Sequence, residues 1–301
     1  FAIQALSPSS AKASFSLGDA ANYAVLYEGS GGHNLQINSN PLNGSTISGN
    51  IGLGNENGGN PQAQLNNPAV INGNVNFAAA MNAGNQNVGN AVINGTIHYG
   101  VASVEADLDY LNNLSTTLGA LGGASLAISG SQTIQASSGN SDGSGNRLFN
   151  LMSLAFNNGS ILTINGNAAG DSVVINVNAA NVTGPHFAGA IVLTGGLTPD
   201  KVLINLIGGN SLTLTGGDTL QTAANNATQY ATYLDPNGTI NVNSVNIVGH
   251  LYGGDSTDMQ IVSGATIVSP VPEPTTFIAG ALLLFPLGAS TLRILRRKTA
   301  A

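Results

Sequence analysis

The sequence predicts an all-β chain wound as a right-handed parallel β-helix, a β-solenoid, with one α-helix of about residues 101–118 docked on its flank and a C-terminal transmembrane helix. Three observations lead there: short segments that alternate apolar and polar residues, glycine-centred units that recur along the chain, and one segment whose apolar period changes to three and four. The units are Ser45-Thr46-Ile47-Ser48-Gly49-Asn50-Ile51-Gly52, Ala69-Val70-Ile71-Asn72-Gly73-Asn74-Val75-Asn76 and Ala91-Val92-Ile93-Asn94-Gly95-Thr96-Ile97-His98. They align without gaps on glycines 24 and 22 residues apart. Period two turns one edge of each segment inward and the other outward, and the Asn and Gly at the ends accept the backbone of tight corners. One such coil cannot bury its apolar edge alone, so coils must stack. The same grammar returns at 125–130, 161–166, 173–177, 190–194, 202–206, 212–215, 240–243 and 265–268. An antiparallel β-sandwich, which also uses short strands and frequent turns, is the alternative.

The helix follows from Val101, Val104, Leu108, Leu111, Leu114 and Leu118, which form one apolar stripe. Glu105, Asp107 and Asp109 occupy the first turns, where the helix dipole favours negative charge, and Gly119 with Gly122-Gly123 ends it.

Composition narrows the chemistry. With no cysteine, the chain cannot form disulfides, thiolate metal sites or a Cys nucleophile. A 42% hydrophobic fraction excludes disorder throughout. Four of the seven bases, Arg293, Arg296, Arg297 and Lys298, crowd the end, so residues 1–292 hold three bases against fourteen acids, a balance of −11. A nucleic-acid surface needs the opposite sign.

Phe277–Leu292 carries no charge, and the apolar stretch from Thr275 to Ile294 is long enough to span a bilayer core, with Pro286 tolerable in lipid. The basic cluster that follows places the tail in the cytoplasm and the body outside. Val271-Pro272-Glu273-Pro274, the apolar span and the Arg-rich end together resemble the PEP-CTERM sorting signal. That resemblance implies recognition of Pro272, Glu273 and Pro274 by a membrane exosortase and residence in the inner membrane during transit. Delivery to the cell surface or extracellular matrix of a Gram-negative-type bacterium follows. Three regions are expected: 1–13, a signal-peptide remnant ending in Ala11-Lys12-Ala13; 14–269, the solenoid; and 270–301, the sorting signal.

Within the body, Phe15-Ser16-Leu17-Gly18-Asp19 through Asn22-Tyr23, the Gly49 unit, the helix, Asp200–Leu206, Leu212–Gly217, Tyr233–Gly238 and Val248–Leu251 resemble choice-of-anchor A domains of bacterial surface proteins. The same opening is similar to the ice-binding-like β-helix family, although no regular Thr-x-Thr ladder is present.

Catalytic patterns are sparse. Gly139-Asn140-Ser141-Asp142-Gly143 satisfies G-x-S-x-G but lies in a Gly/Ser-rich loop whose composition produces the pattern by accident. His33, His98, His186 and His250 lack metal-ligand spacing. Asp255 and Asp258 occupy a turn similar to a calcium-binding one, though it occurs once. Asp171, Asp200, Asp218, Asp235 and Asp255 are the carboxylates that coil stacking could gather for glycoside chemistry. Asparagine, at 39 residues, is expected to stack in ladders between coils and, on an outward face, to meet sugar hydroxyls.

No catalytic, cofactor-binding or metal residue is therefore assigned. The expected role is an exported structural or adhesive protein of the surface or exopolysaccharide matrix, not an enzyme, with exosortase and extracellular polysaccharide as partners and no nucleic acid. An ice-binding protein is the first alternative and a β-helix polysaccharide-degrading enzyme the second. Replacing Pro272-Glu273-Pro274 by alanines should leave precursor in the inner-membrane fraction; unchanged surface delivery on fractionation would refute the sorting assignment.

Overall fold

Segments this short, each with one apolar edge, are stable only inside a stack. The computed structural model shows that stack over residues 14–270, apart from 30–31, 39–43, 56–60, 67, 168–170, 217–225 and 256. The chain divides into two units, 1–269 and 270–301. Pro272, Glu273, Pro274, Arg293, Arg296, Arg297, Lys298 and the expected membrane span lie outside the described residues, as does the leader at 1–13. Among the described residues no helix is long and apolar enough to cross a membrane.

The first unit has three parallel sheets, and each full coil visits the first, third and second in turn. In the first sheet the spatial order is Ile97–Val101, Val75–Ala78, Asn50–Leu53, Tyr23–Tyr27, Leu251–Gly253, Thr232–Asp235, Val202–Ile207, Ser172–Asn178, Asn146–Ala155 and Ala124–Ser129. In the second it runs from Gln132–Gln135 through Ile161–Asn165, Ala190–Thr194, Thr228–Tyr230, Asn246–Val248, Thr266–Val268, Thr46–Ser48 and Val70–Asn72 to Val92–Ile93. The third comprises His186–Phe187, Ser211–Thr215, Thr239–Asn243, Met259–Val262, Leu35–Ile37, Ala63–Asn66 and Gln86–Gly89. Among the described strands only the two-residue Asn140–Ser141 pairs antiparallel, with Leu148 and Arg147. That parallel architecture excludes the sandwich alternative.

Coil order in space differs from coil order in sequence. The first described strand, Tyr23–Tyr27, lies mid-stack between Asn50–Leu53 and Leu251–Gly253, and the following coils build outward to Ile97–Val101. After the helix the chain resumes at the far end with Ala124–Ser129 and builds back until its last described coil meets its first. All three sheets cross this seam in register: Val25 faces Leu251, Leu35 faces Met259, and Ile47 faces Ile267. The Tyr252 hydroxyl donates to the Ala20 carbonyl at 2.8 Å, and the Tyr27 hydroxyl to that of Thr257 at 3.1 Å.

The aligned glycines have a steric cause. A Cβ on Gly73 would stand 2.2 Å from the Gly49 carbonyl oxygen, and one on Gly95 equally close to that of Gly73. The adjoining asparagines form the expected ladder: Asn74 N donates to Asn50 Oδ1 and Thr96 N to Asn74 Oδ1, each at 2.9 Å.

The helix, α1, spans Ser103–Gly119, two residues later than expected at its start because Val101 still belongs to a strand. Val104, Leu108, Leu111 and Leu118 are buried as the stripe requires, and Ser115 occupies a buried position between them. Ser115 Oγ donates to Asn205 Oδ1 at 2.6 Å; Asn205 Nδ2 reaches Asn176 Oδ1, and Asn176 Nδ2 the Leu118 carbonyl. Asp107, expected on the solvated first turns, is largely buried instead, and burial together with the nearby Asp19 raises its carboxyl pKa. α1 packs on strands from both sides of the seam, Val75–Ala78 on one and Thr232–Asp235, Val202–Ile207 and Ser172–Asn178 on the other. Because it covers the first sheet, strands such as Tyr23–Tyr27 and Thr232–Asp235 are buried on both faces and read as continuous rather than alternating runs.

Gly73→Ala should force the first two corners apart and destabilise the unit by roughly 1–3 kcal/mol, the usual range for overpacking. A thermal or urea melt measures it, and an unchanged midpoint would contradict the packing described.

Candidate functional site

α1 lies over Val75–Ala78, Thr232–Asp235, Val202–Ile207 and Ser172–Asn178 of the first sheet, and the outer faces of the second and third sheets are the candidate surfaces for recognition. Their described strands contain no Asp, Glu, Lys or Arg. Their chemistry nevertheless differs.

On the second sheet Ile47, Ile71, Ile191, Ile247 and Ile267 turn inward, and the residues on either side of them turn out. One outward row reads Thr228, Asn246, Thr266, Thr46 and Val70 on successive rungs. The other reads Tyr230, Val248, Val268, Ser48 and Asn72. Ile161, Val192, Tyr230 and Val92 are exposed along this face. Nine strands make a strip about 38 Å long at the usual ~4.8 Å spacing. The strip presents methyl, hydroxyl and a few amide groups and no charge. Sequence reading missed it, since Thr46, Thr228 and Thr266 lie far apart in the chain and meet only through the seam.

On the third sheet the outward row is Thr213, Asn241, Gln260, Gln36, Gln64 and Asn87. Five consecutive rungs therefore present side-chain amides, each with donors and an acceptor. Beside them Asn66 Nδ2 donates to Asn38 Oδ1. The alternation of each strand predicts that these amides point outward; their alignment into one row again depends on register.

The residues singled out for catalysis or metal binding are not gathered into one site. Ser141 lies in a hairpin, not on a strand-to-helix turn, and its Oγ accepts from Gly143 N at 3.2 Å. His186 Nε2 stands 2.7 Å from Thr215 Oγ1. His250 is buried at the seam, stacked on Tyr252, with Nδ1 2.6 Å from the Tyr23 carbonyl; burial lowers its pKa, so the neutral ring donates there through Nδ1. Asp258 turns both oxygens to the first coil, accepting from Asn34 N at 2.7 Å and from Gln36 Nε2, with His33 Nδ1 at 3.9 Å. It acts as a staple across the seam.

Asp171 stands 3.6 Å from Arg147, Asp200 sits in a 3-10 turn, and Asp218 lies outside the described residues. Among the described residues no three acidic or histidine groups cluster as a metal site would require. Asp235 and Asp255 interact electrostatically, but Asp235 is wholly buried.

Among the described residues neither Asp235 oxygen has a hydrogen-bond partner, and desolvation, with a smaller contribution from Asp255, pushes its pKa up to about 8. Gly238 leaves room for it, because a Cβ there would stand 2.2 Å from both carboxyl oxygens. An unfolded aspartate titrates near 3.9, so between about pH 4 and pH 8 the folded chain holds a proton the unfolded one has released, and stability falls as pH rises through that window. Asp235→Asn removes this titration. The variant should gain melting temperature over wild type at about pH 9 relative to about pH 5, as followed by circular dichroism; equal differences at both would refute the assignment.

Comparison with known proteins follows the fold. Residues 11–266 match the family model described as "Putative Ice-binding-like adhesive domain". Among solved structures, the ice-binding protein LeIBP from an Arctic yeast aligns at TM-score 0.51 and 17% identity, covering 87% of this chain and 96% of that one. An ice-binding protein from the Antarctic ascomycete Antarctomyces psychrotrophicus aligns at TM-score 0.46 and 14% identity, covering 86% and 99%. No curated protein matches the sequence. The likeness to LeIBP, at that identity, concerns the fold, and the match across most of the body places the chain in the family of ice-binding-like adhesive domains.

Proposed function

We propose that the chain is a non-enzymatic adhesive module of the cell surface or surrounding matrix, and that it grips extracellular polysaccharide through the amide row of the third sheet. The observation that carries this is Asn241, Gln260, Gln36, Gln64 and Asn87 on five successive rungs, about 19 Å of evenly spaced amides on strands without charged residues, with Gln36 Nε2 held by the neighbouring Asp258 carboxylate. An extended sugar chain offers hydroxyls along its length, and many weak bonds in one line hold it without a pocket. The family match to adhesive domains supports the same reading.

Export through the PEP-CTERM-like signal at Pro272, Glu273 and Pro274, with exosortase processing and the positive stop at Arg293–Lys298, belongs to this proposal. So does the choice-of-anchor A resemblance, which fits a surface-delivered body. A second reading, ice binding, is favoured by the Thr228, Asn246, Thr266, Thr46 row on the second sheet.

Two variants separate the readings. Gln64→Ala with Gln260→Ala should weaken retention on a glycan array about tenfold while the melting temperature is kept. Thr46→Tyr with Thr266→Tyr should leave glycan retention intact and abolish inhibition of ice recrystallisation only where the second reading holds. Glycan binding indifferent to the glutamine variant would overturn the first.

A further inference from the structure

The two ends of the solenoid are finished differently. At the end that begins with Ala124–Ser129 and Gln132–Gln135, the inward residues Leu126, Ile128 and Ile134 are buried. At the other end the last coil comprises Gln86–Gly89, Val92–Ile93 and Ile97–Val101, the outermost strand of each sheet. Here the inward columns lie open. Val88 continues the column of Leu65, which has no exposure, yet is 37% exposed. Ile93 and Ile97 follow fully buried Ile71 and Val75 but are only partly buried, and Tyr99 is exposed while stacked on Phe77 at 5.1 Å. Among the described residues no strand covers these three edges.

Solenoids ordinarily close such an end with a polar cap, and exposed edges are guarded by Lys, Pro or bulges. This coil has no Lys or Pro; its irregularities are a register shift between His98 and Val101 and an isolated bridge of Asn90 to Asn66 at the corner. Residues 57–104 contain no Asp, Glu, Lys or Arg at all.

We infer that this open coil is a docking surface for a second copy of the same chain, joined end to end. Residues 1–292 carry a balance of −11, so two copies repel through most surfaces, and the charge-free end is where they can approach. The occupant must offer unpaired strand edges and an apolar cross-section of the same outline, which a second copy does. A two-fold axis across the end sets Ile97–Val101 antiparallel to itself and exchanges the other two edges, a closed, self-complementary contact. In an adhesive protein this contact joins copies held on facing surfaces. That consequence rests on the adhesive reading, whereas the dimer does not.

Sedimentation velocity of the full chain over a concentration series tests it, with melting temperature and glycan retention followed in parallel. Wild type should show a reversible monomer–dimer equilibrium. Val92→Lys with His98→Lys, which charges two of the edges at exposed positions outside the amide row, should raise the dimer dissociation constant at least tenfold without lowering the melting temperature. Val192→Lys, on the second sheet away from this end, serves as control and should dimerise as wild type does. A wild type monomeric at every concentration, or a double-lysine variant that dimerises unchanged, overturns the inference. Loss of the dimer with glycan retention kept supports it independently of the amide row, and a dimer without glycan retention leaves it standing while the adhesive reading falls.

Discussion

The register of the first coil against the last is the constraint on which this structure depends. Two stacks, one of residues 23–101 and one of 124–268, become a single solenoid only because Leu251, Met259 and Ile267 fall opposite Val25, Leu35 and Ile47. A slip of one residue would turn every inward aliphatic outward. Several interactions hold the register besides the three ladders. Asp258 reaches across to Asn34 and Gln36, His250 and Tyr252 bond to the Tyr23 and Ala20 carbonyls, and α1 lies over strands from both stacks. Both candidate faces inherit this dependence, since the threonine and amide rows each cross the seam.

Amides do the work in this fold that ion pairs do in many others. With 7% charged residues, the chain uses side-chain amides to satisfy backbone groups at the corners, as Asn50 and Asn74 do, and to hold the helix through Asn176 and Asn205. A neutral hydrogen bond contributes modestly but loses little to salt, while its absence in a buried place is costly. Asp235 is the exception: its carboxyl has no hydrogen-bond partner among the described residues, and burial raises its pKa to about 8.

The sequence revealed local structure well and long-range order poorly. Gly49, Gly73 and Gly95 pointed to stacked coils because their spacing is short and their steric cause local. The helix was legible from Val104, Leu108, Leu111 and Leu118, while Ser115 and Asp107 were not recognisable as buried, since their partners come from distant residues. Thr232–Asp235 and Tyr23–Tyr27 lacked alternation for the same reason, being covered on both sides. The functional rows were illegible because each is read across coils, and nothing local indicates that the first described coil pairs with the last. Asparagine and glutamine could be named as the binding chemistry, but their alignment could not.

Placing the first and last described coils side by side within the stack has a mechanical consequence. A solenoid whose chain ended at its tip would have its final coil gripped by one neighbour, and a pull there could unzip it rung by rung. Here residues 251–268 are clamped between 228–248 on one side and 23–48 on the other. Tension arriving at Ser269 must therefore rupture ladders on both sides of that coil together, so load is shared across the rod instead of peeling it.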